Sequence, residues 1–121
     1  MYKVNSKEYN CSIEVSNDIF NDRYKLGIIW HLLDGEKRYK ELHEEVCSIT
    51  QKTLTIKLRE LEEHKIIKRE VFPEVPPKVV YSLTPIGEKL RALLNEMHTW
   101  GIEYVKECGE MTTGKTCSPK P

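Results

Sequence analysis

Three prolines in five residues, in the run Pro73-Glu74-Val75-Pro76-Pro77, stand between two segments rich in strand-favouring residues, 67–72 and 78–83. Proline has no amide hydrogen to donate and cannot continue a β-ladder. The run is therefore expected to be the protruding tip of a two-stranded hairpin, a wing. On the return strand Val79, Tyr81 and Leu83 alternate with Val80 and Ser82.

The chain before the hairpin has helical periodicity. Over 23–33, Leu26, Ile29, Trp30 and Leu33 fall at i, i+3, i+4, i+7, with Ile28 and Leu32 widening the stripe, and Asp34-Gly35 supplies a stop. A second helix is expected over 40–47, with Tyr39, Leu42 and Val46 on one side. After Ser48-Ile49, Thr50 can cap a third helix whose inward stripe is Leu54, Leu58 and Leu61 and which Lys65 closes. Beyond the hairpin, Thr84-Pro85 places a cap and a first-turn proline at the start of a long helix expected to reach about residue 107. Its apolar residues Ile86, Leu90, Leu93, Met97, Trp100 and Tyr104 are spaced four, three, four, three, four, a heptad-like seam. Near the N-terminus, Ile13, Ile19 and Phe20 suit one short amphipathic helix.

This order of helix, helix, tight turn, helix, hairpin and long helix is that of a winged helix-turn-helix, a mainly α fold with a small β-hairpin wing (α+β). A chain of 121 residues with 39% hydrophobic residues supports one core. Residues 11–108 are expected to form it, with 1–10 an N-terminal arm. The Gly-, Thr-, Ser-, Lys- and Pro-rich stretch 109–121 has little to bury and is expected to be disordered. No apolar run approaches the roughly 18 residues that span a membrane, and 1–10 lacks the apolar core of a secretory signal. A cytoplasmic protein is expected.

Several chemistries have no residues to carry them. Cys11, Cys47, Cys108 and Cys117 form no Cys-x-x-Cys pair, and His31, His43, His64 and His98 show no metal-ligand spacing. There is no glycine-rich phosphate loop and no nucleophile motif. We therefore expect neither an enzyme nor a resident metal or cofactor.

The third helix offers a different chemistry. With its leucines inward, 100° per residue turns Lys52, Ile56, Arg59 and Glu63 outward with Thr55 beside them, and Gln51, Lys52 and Thr53 occupy the opening turn. Amides at a helix start attract phosphate, Gln pairs bidentately with adenine, and Arg or Lys with guanine. Ile56, apolar on a polar face, suits a thymine methyl group or a neighbouring chain. Although net charge is zero, 50–69 holds six bases against three acids, a local balance of +3. Arg38, Lys40 and Lys78 add candidate phosphate contacts. Mixed charges on a helix are ordinarily a solvated face, so a winged-helix protein-interaction module without DNA binding is the alternative reading.

The same segments resemble the HxlR family of bacterial and archaeal winged-helix transcriptional regulators. The resemblance runs through Gly35-Glu36-Lys37-Arg38-Tyr39-Lys40-Glu41-Leu42, Ile49-Thr50-Gln51-Lys52-Thr53-Leu54-Thr55, Leu58-Arg59-Glu60-Leu61-Glu62, 74–84, Gly87 and Trp100-Gly101. It implies sequence-specific binding of double-stranded DNA at a palindromic operator by a homodimer, third helices in the major groove and wings on the backbone or minor groove. The implied dimer interface is made by the N-terminal segment, with Ile19 and Phe20, and the long C-terminal helix, with Leu90, Leu93, Met97, Trp100 and Tyr104. Cys11 aligns with an N-terminal cysteine that responds to oxidants or electrophiles in some family members. It is a candidate sensor here, against the plainer role of a small packed residue.

Overall fold

The computed structural model describes residues 1–46, 48–112 and 120. An N-terminal hairpin, β1 (Tyr2–Val4) and β2 (Lys7–Tyr9), leads into α1 (Ser12–Ile19) and α2 (Lys25–Leu32). Then follow β3 (Lys37–Arg38), α3 (Tyr39–Glu45), α4 (Gln51–Glu63), β4 (Ile67–Phe72), β5 (Lys78–Leu83), α5 (Pro85–Glu88) and α6 (Leu90–Cys108). The winged helix-turn-helix order is present, and both wing strands have the expected bounds.

α2 lies at the centre, in contact with α3, α4, α6 and β5. Its Ile28, Ile29, Leu32 and Leu33 are buried with Leu42 of α3, the α4 leucines, Ile66, Ile67, and Leu94 of α6. Leu54, Leu58 and Leu61 are exposed by 0%, 1% and 0%. Burying each is worth about 2 kcal/mol, and all three lie on one stripe, so that side of α4 faces the core.

Three features differ from the sequence reading. The wing is a three-stranded sheet in the order β3-β5-β4, all pairs antiparallel, so β5 is central and the expected alternation is lost: Val80 and Tyr81 are both buried. The N-terminal ten residues contain β1 and β2 paired Tyr2↔Tyr9 through Val4↔Lys7, with Asn5 at positive φ in the turn. Asp18 of α1 fastens this hairpin by accepting hydrogen bonds from Lys7 Nζ at 2.5 Å and Tyr9 OH at 2.6 Å.

The third difference is that the long C-terminal helix is two helices, parting at Lys89. Thr84 caps α5 by accepting from the Gly87 amide, while its own hydroxyl and amide donate to carbonyls at the end of the α4–β4 connection, Lys65 and Ile66. This tether draws the α5 backbone against Ile66, so that a Cβ on Gly87 would lie 2.3 Å from the Ile66 carbonyl oxygen. The first turn is held by the wing base, and α6 departs from it.

Residues 113–119 and 121 of the expected tail lie outside the described residues, as does Cys47. Lys120 is described. Its ammonium sits 2.7 Å from Asp34 Oδ2 and 5.1 Å from the Trp30 ring centre, and its backbone exchanges two hydrogen bonds with Asn95.

Because Gly87 abuts backbone rather than a yielding side chain, Gly87→Ala should destabilise the fold by about 3 kcal/mol. Thermal or denaturant unfolding reads this directly; a change within experimental error would contradict the tight approach.

Candidate nucleic-acid interface

The helix-turn-helix is built by α3 and α4 around the turn at Ser48-Ile49. Ser48 takes positive φ (56°), the left-handed conformation that makes the turn tight, and buried Ile49 pins it to the core. Thr50 then starts α4: its hydroxyl oxygen accepts from the Thr53 amide at 3.1 Å and donates to Thr53 Oγ1 at 3.0 Å. One orphan amide of the opening turn is thereby satisfied, and those of Gln51 and Lys52 remain where a helix has no intrahelical carbonyl for them.

Tyr39, at the start of α3, fixes this opening turn from outside. Its hydroxyl donates to the Gln51 carbonyl at 2.9 Å and lies 3.0 Å from Thr55 Oγ1, which itself donates to Gln51 O at 2.9 Å. The ring stacks on His43 with centroids 6.5 Å apart. The sequence reading used Tyr39 only as an apolar residue of α3; the phenol's polar end, aimed along the helix-turn-helix, was the available signal. The bond ties the α3 start to the α4 start, and Arg38, Lys40, Gln51 and Lys52 are all exposed.

The remaining α4 positions divide cleanly. Thr55, Ile56 and Arg59 are exposed, Ile56 by 40%, and Thr53 is half-buried at the cap. Lys57 and Glu60, both counted in the local charge balance, face the flank of the helix: Lys57 Nζ is 3.5 Å from Asp22, and Glu60 is 2.7 Å from the buried Lys25 ammonium. The outward face therefore carries Lys52 and Arg59 as its free-standing bases on the α4 stripe, with Glu63 at the far end.

On the wing, Lys78 is half-buried with its ammonium 5.2 Å from the Phe72 ring centre, directly beneath the tip. Lys68 and Arg69 are exposed on β4, and the Arg69–Tyr81 cross-strand pair joins the two long strands. Burial raises the Tyr81 phenol above its usual range despite the hydrogen bond with Arg69.

The residues expected at the dimer interface form two groups. Leu93, Met97, Trp100 and Tyr104 make an exposed stripe along α6, with 49%, 46%, 65% and 53% of their surface open, and the Trp100 and Tyr104 rings stacked at 5.3 Å. Ile19, Phe20 and Leu90 instead pack, half-buried, against the chain's own core. Ile13, exposed by 71% on α1, was not among the expected interface residues although it lies on the same helix as Ile19. Ile86, which the heptad spacing included, is on the separate α5.

Cys11 is exposed at the N-cap of α1 and Cys108 is exposed at the end of α6; neither is in a disulfide. His98 stacks on Trp30 at 5.3 Å, and His64 caps α4. Among the described residues no group of three His, Cys, Asp or Glu side chains is placed to hold a metal ion. No helix among them is long and apolar enough to cross a membrane.

Known proteins share this architecture and sequence. The uncharacterized HTH-type transcriptional regulator YdeP of Bacillus subtilis is 38% identical over 110 residues, covering 91% of this chain and 86% of YdeP. Among solved structures, the redox regulator HypR in its oxidized form superposes with a TM-score of 0.72 at 42% identity, covering 77% of this chain and 96% of HypR. The reduced form of the transcriptional regulator YodB from B. subtilis gives 0.69 at 38% identity, covering 84% and 96%. The HxlR-like helix-turn-helix family matches residues 19–108, from the end of α1 to the end of α6, and the chain belongs to that family.

Proposed function

We propose that this protein is a DNA-binding transcriptional regulator that works as a homodimer, placing α4 in the major groove and the β4–β5 wing on the backbone or minor groove of a palindromic operator. The observation that carries this reading is the division of α4. Three fully buried leucines commit one stripe to the core, and Gln51, Lys52, Thr55, Ile56 and Arg59 are left facing solvent. Gln51, Lys52 and Arg59 have hydrogen-bonding groups for base edges, and Ile56 has the apolar surface for a thymine methyl group. Arg38, Lys40, the Thr53 end of the cap and Lys78 supply contacts that orient the helix on phosphates.

A second copy of the chain covers the α6 stripe. Four large apolar residues lie exposed in a row on one helix, and their spacing is that of a helix-helix seam. With two-fold symmetry the two α4 helices address half-sites about one helical turn, near 34 Å, apart or a multiple of it. Trp100 is at the centre of that stripe. Its fluorescence should shift to the blue as protein concentration rises through the dimer dissociation constant; concentration-independent emission with a monomeric mass at micromolar protein would refute this arrangement.

The regulator reading is tested by salt. Neutralising several phosphates per dimer releases counterions, so affinity for a selected duplex should fall by about 10³-fold between 50 and 200 mM salt. A flat response would point instead to docking on protein. Arg59→Ala, at an exposed site, should weaken specific binding by roughly tenfold or more with folding intact. Lys78→Ala should weaken all sequences alike and lower the salt slope by about one for each lysine–phosphate pairing removed.

Cys11 is the thiol through which the protein senses oxidants or electrophiles. Its exposure at the N-cap of α1 gives a reagent access, and the structures similar to this one include a redox regulator and a quinone-bound YodB. Oxidant or quinone treatment should change the DNA affinity of the wild type and leave that of Cys11→Ser unchanged; equal responses from both would remove Cys11 from the role.

A further inference from the structure

Lys25 is the one buried charged residue among the described residues, exposed by only 4%. Taking an ammonium out of water is costly unless acceptors meet its three N–H groups. Two hydrogen-bond acceptors and one further carboxylate, which it meets as an ion pair, face it, each from a different part of the chain. The Glu60 carboxylate of α4 lies at 2.7 Å, the Ile19 carbonyl at the end of α1 at 3.2 Å, and the Asp22 carboxylate, between α1 and α2, at 3.5 Å. Lys57, also on α4, closes the cluster at 3.5 Å from Asp22 and 3.8 Å from Glu60. Two ammoniums balance two carboxylates.

Asp22 does more than pair. Its Oδ1 accepts the amides of Tyr24 and Lys25 at 2.7 and 2.9 Å, fixing the first turn of α2 to the same carboxylate. Burial pushes the Asp22 carboxyl up, yet these two amides, with Lys57 and Lys25, outweigh it and hold the group below its usual range; the Lys25 hydrogen bond does the same for Glu60. Both carboxylates are therefore ionised at neutral pH; Lys25 donates a charge-assisted hydrogen bond to Glu60, and Asp22 Oδ2 meets Lys25 and Lys57 as ion pairs.

Apolar packing alone does not define the angular setting of α4. Its inward contacts are three leucines on one stripe, and apolar contact is non-directional, so small rolls about the helix axis keep them buried. The charge-assisted hydrogen bond from Lys25 to Glu60 is directional. Lys57 and Glu60 sit on the flank between the leucine stripe and the outward face, where a restraint controls roll, and the roll decides where Arg59 and Gln51 point. A recognition geometry tolerates only about 10–20° of error.

We propose that Lys25 is a positioning residue for DNA recognition, setting the roll of α4 against the end of α1 and the start of α2 without itself touching DNA. The inference rests on the DNA-binding reading above. It also gives α1, which begins next to Cys11 and ends at Ile19, a direct mechanical link to the recognition helix through the Ile19 carbonyl.

The test compares wild type, Lys25→Met, Lys25→Arg and Glu60→Gln in the full chain, measuring affinity for a duplex selected from random sequence and for unselected duplex, each across a salt series. Lys25→Met should stay folded and dimeric, and lose at least tenfold in the ratio of selected to unselected affinity. Its salt slope should be unchanged, because every phosphate contact is kept. Glu60→Gln should move the ratio the same way, and Lys25→Arg, which keeps charge and donors, should recover most of it.

A Lys25→Met ratio equal to wild type overturns the inference while the wild type's steep salt response keeps the DNA-binding reading standing. A reduced slope makes Lys25 a phosphate contact and also overturns it. Should Lys25→Met fail to fold, Glu60→Gln decides, with an unchanged ratio counting against the proposal. A wild type that shows no salt-dependent binding removes the DNA-binding reading and the inference with it.

Discussion

The burial of Leu54, Leu58 and Leu61 against α2 is the contact on which the rest of this protein depends. It commits one side of α4 to the interior, and because a helix turns 100° per residue, it thereby decides what the other side shows. The side chains of Gln51, Lys52, Ile56 and Arg59 face solvent on that other side. Truncating a fully buried leucine of this kind costs about 3 kcal/mol, a large share of the stability of a domain this size. In the proposed reading, the DNA-facing surface is held in place by the side of the helix that faces the core.

Polar contacts refine what the leucines hold. Tyr39 and Thr55 brace the Gln51 carbonyl, Thr50 closes the cap, and Lys25 with Asp22 grips the flank through Glu60 and Lys57. Tyr39 comes from α3, Thr50 from the α3–α4 turn, and Asp22 and Lys25 from the α1–α2 junction and the start of α2, so restraints reach α4 from several sides. The same division recurs at the wing, where the Thr84 tether and the close approach of Gly87 to Ile66 fix the base of the hairpin while its proline tip stays clear of the core.

The features legible in the sequence were those encoded locally. The α4 cap and stripe, the wing strands and their proline tip each depend on residues within a few positions of one another, and the structure has them within the expected bounds. The features missed depend on distant partners or on very few residues. β3 is two residues long and exists only because Lys37 and Arg38 meet Tyr81 and Val80. The β1–β2 hairpin is short and largely exposed, so it has no apolar alternation to betray it. The break at Lys89 comes from a tether to Ile66, which helical periodicity cannot register. Lys25 carried a readable signal that went unused: it opens a helix that is otherwise apolar nearly all round, so its ammonium had to be buried with partners.

The central claim is that the exposed face and opening turn of α4 are where this protein meets DNA. Backbone amide shifts and hydrogen exchange, followed residue by residue as a selected duplex is added, test it most directly. The account predicts that Gln51, Lys52, Thr55, Ile56 and Arg59 shift strongly and become protected, together with the wing around Lys78, while α6 is unaffected. Changes confined to α6 or the N-terminal hairpin, with α4 unaltered, would contradict it.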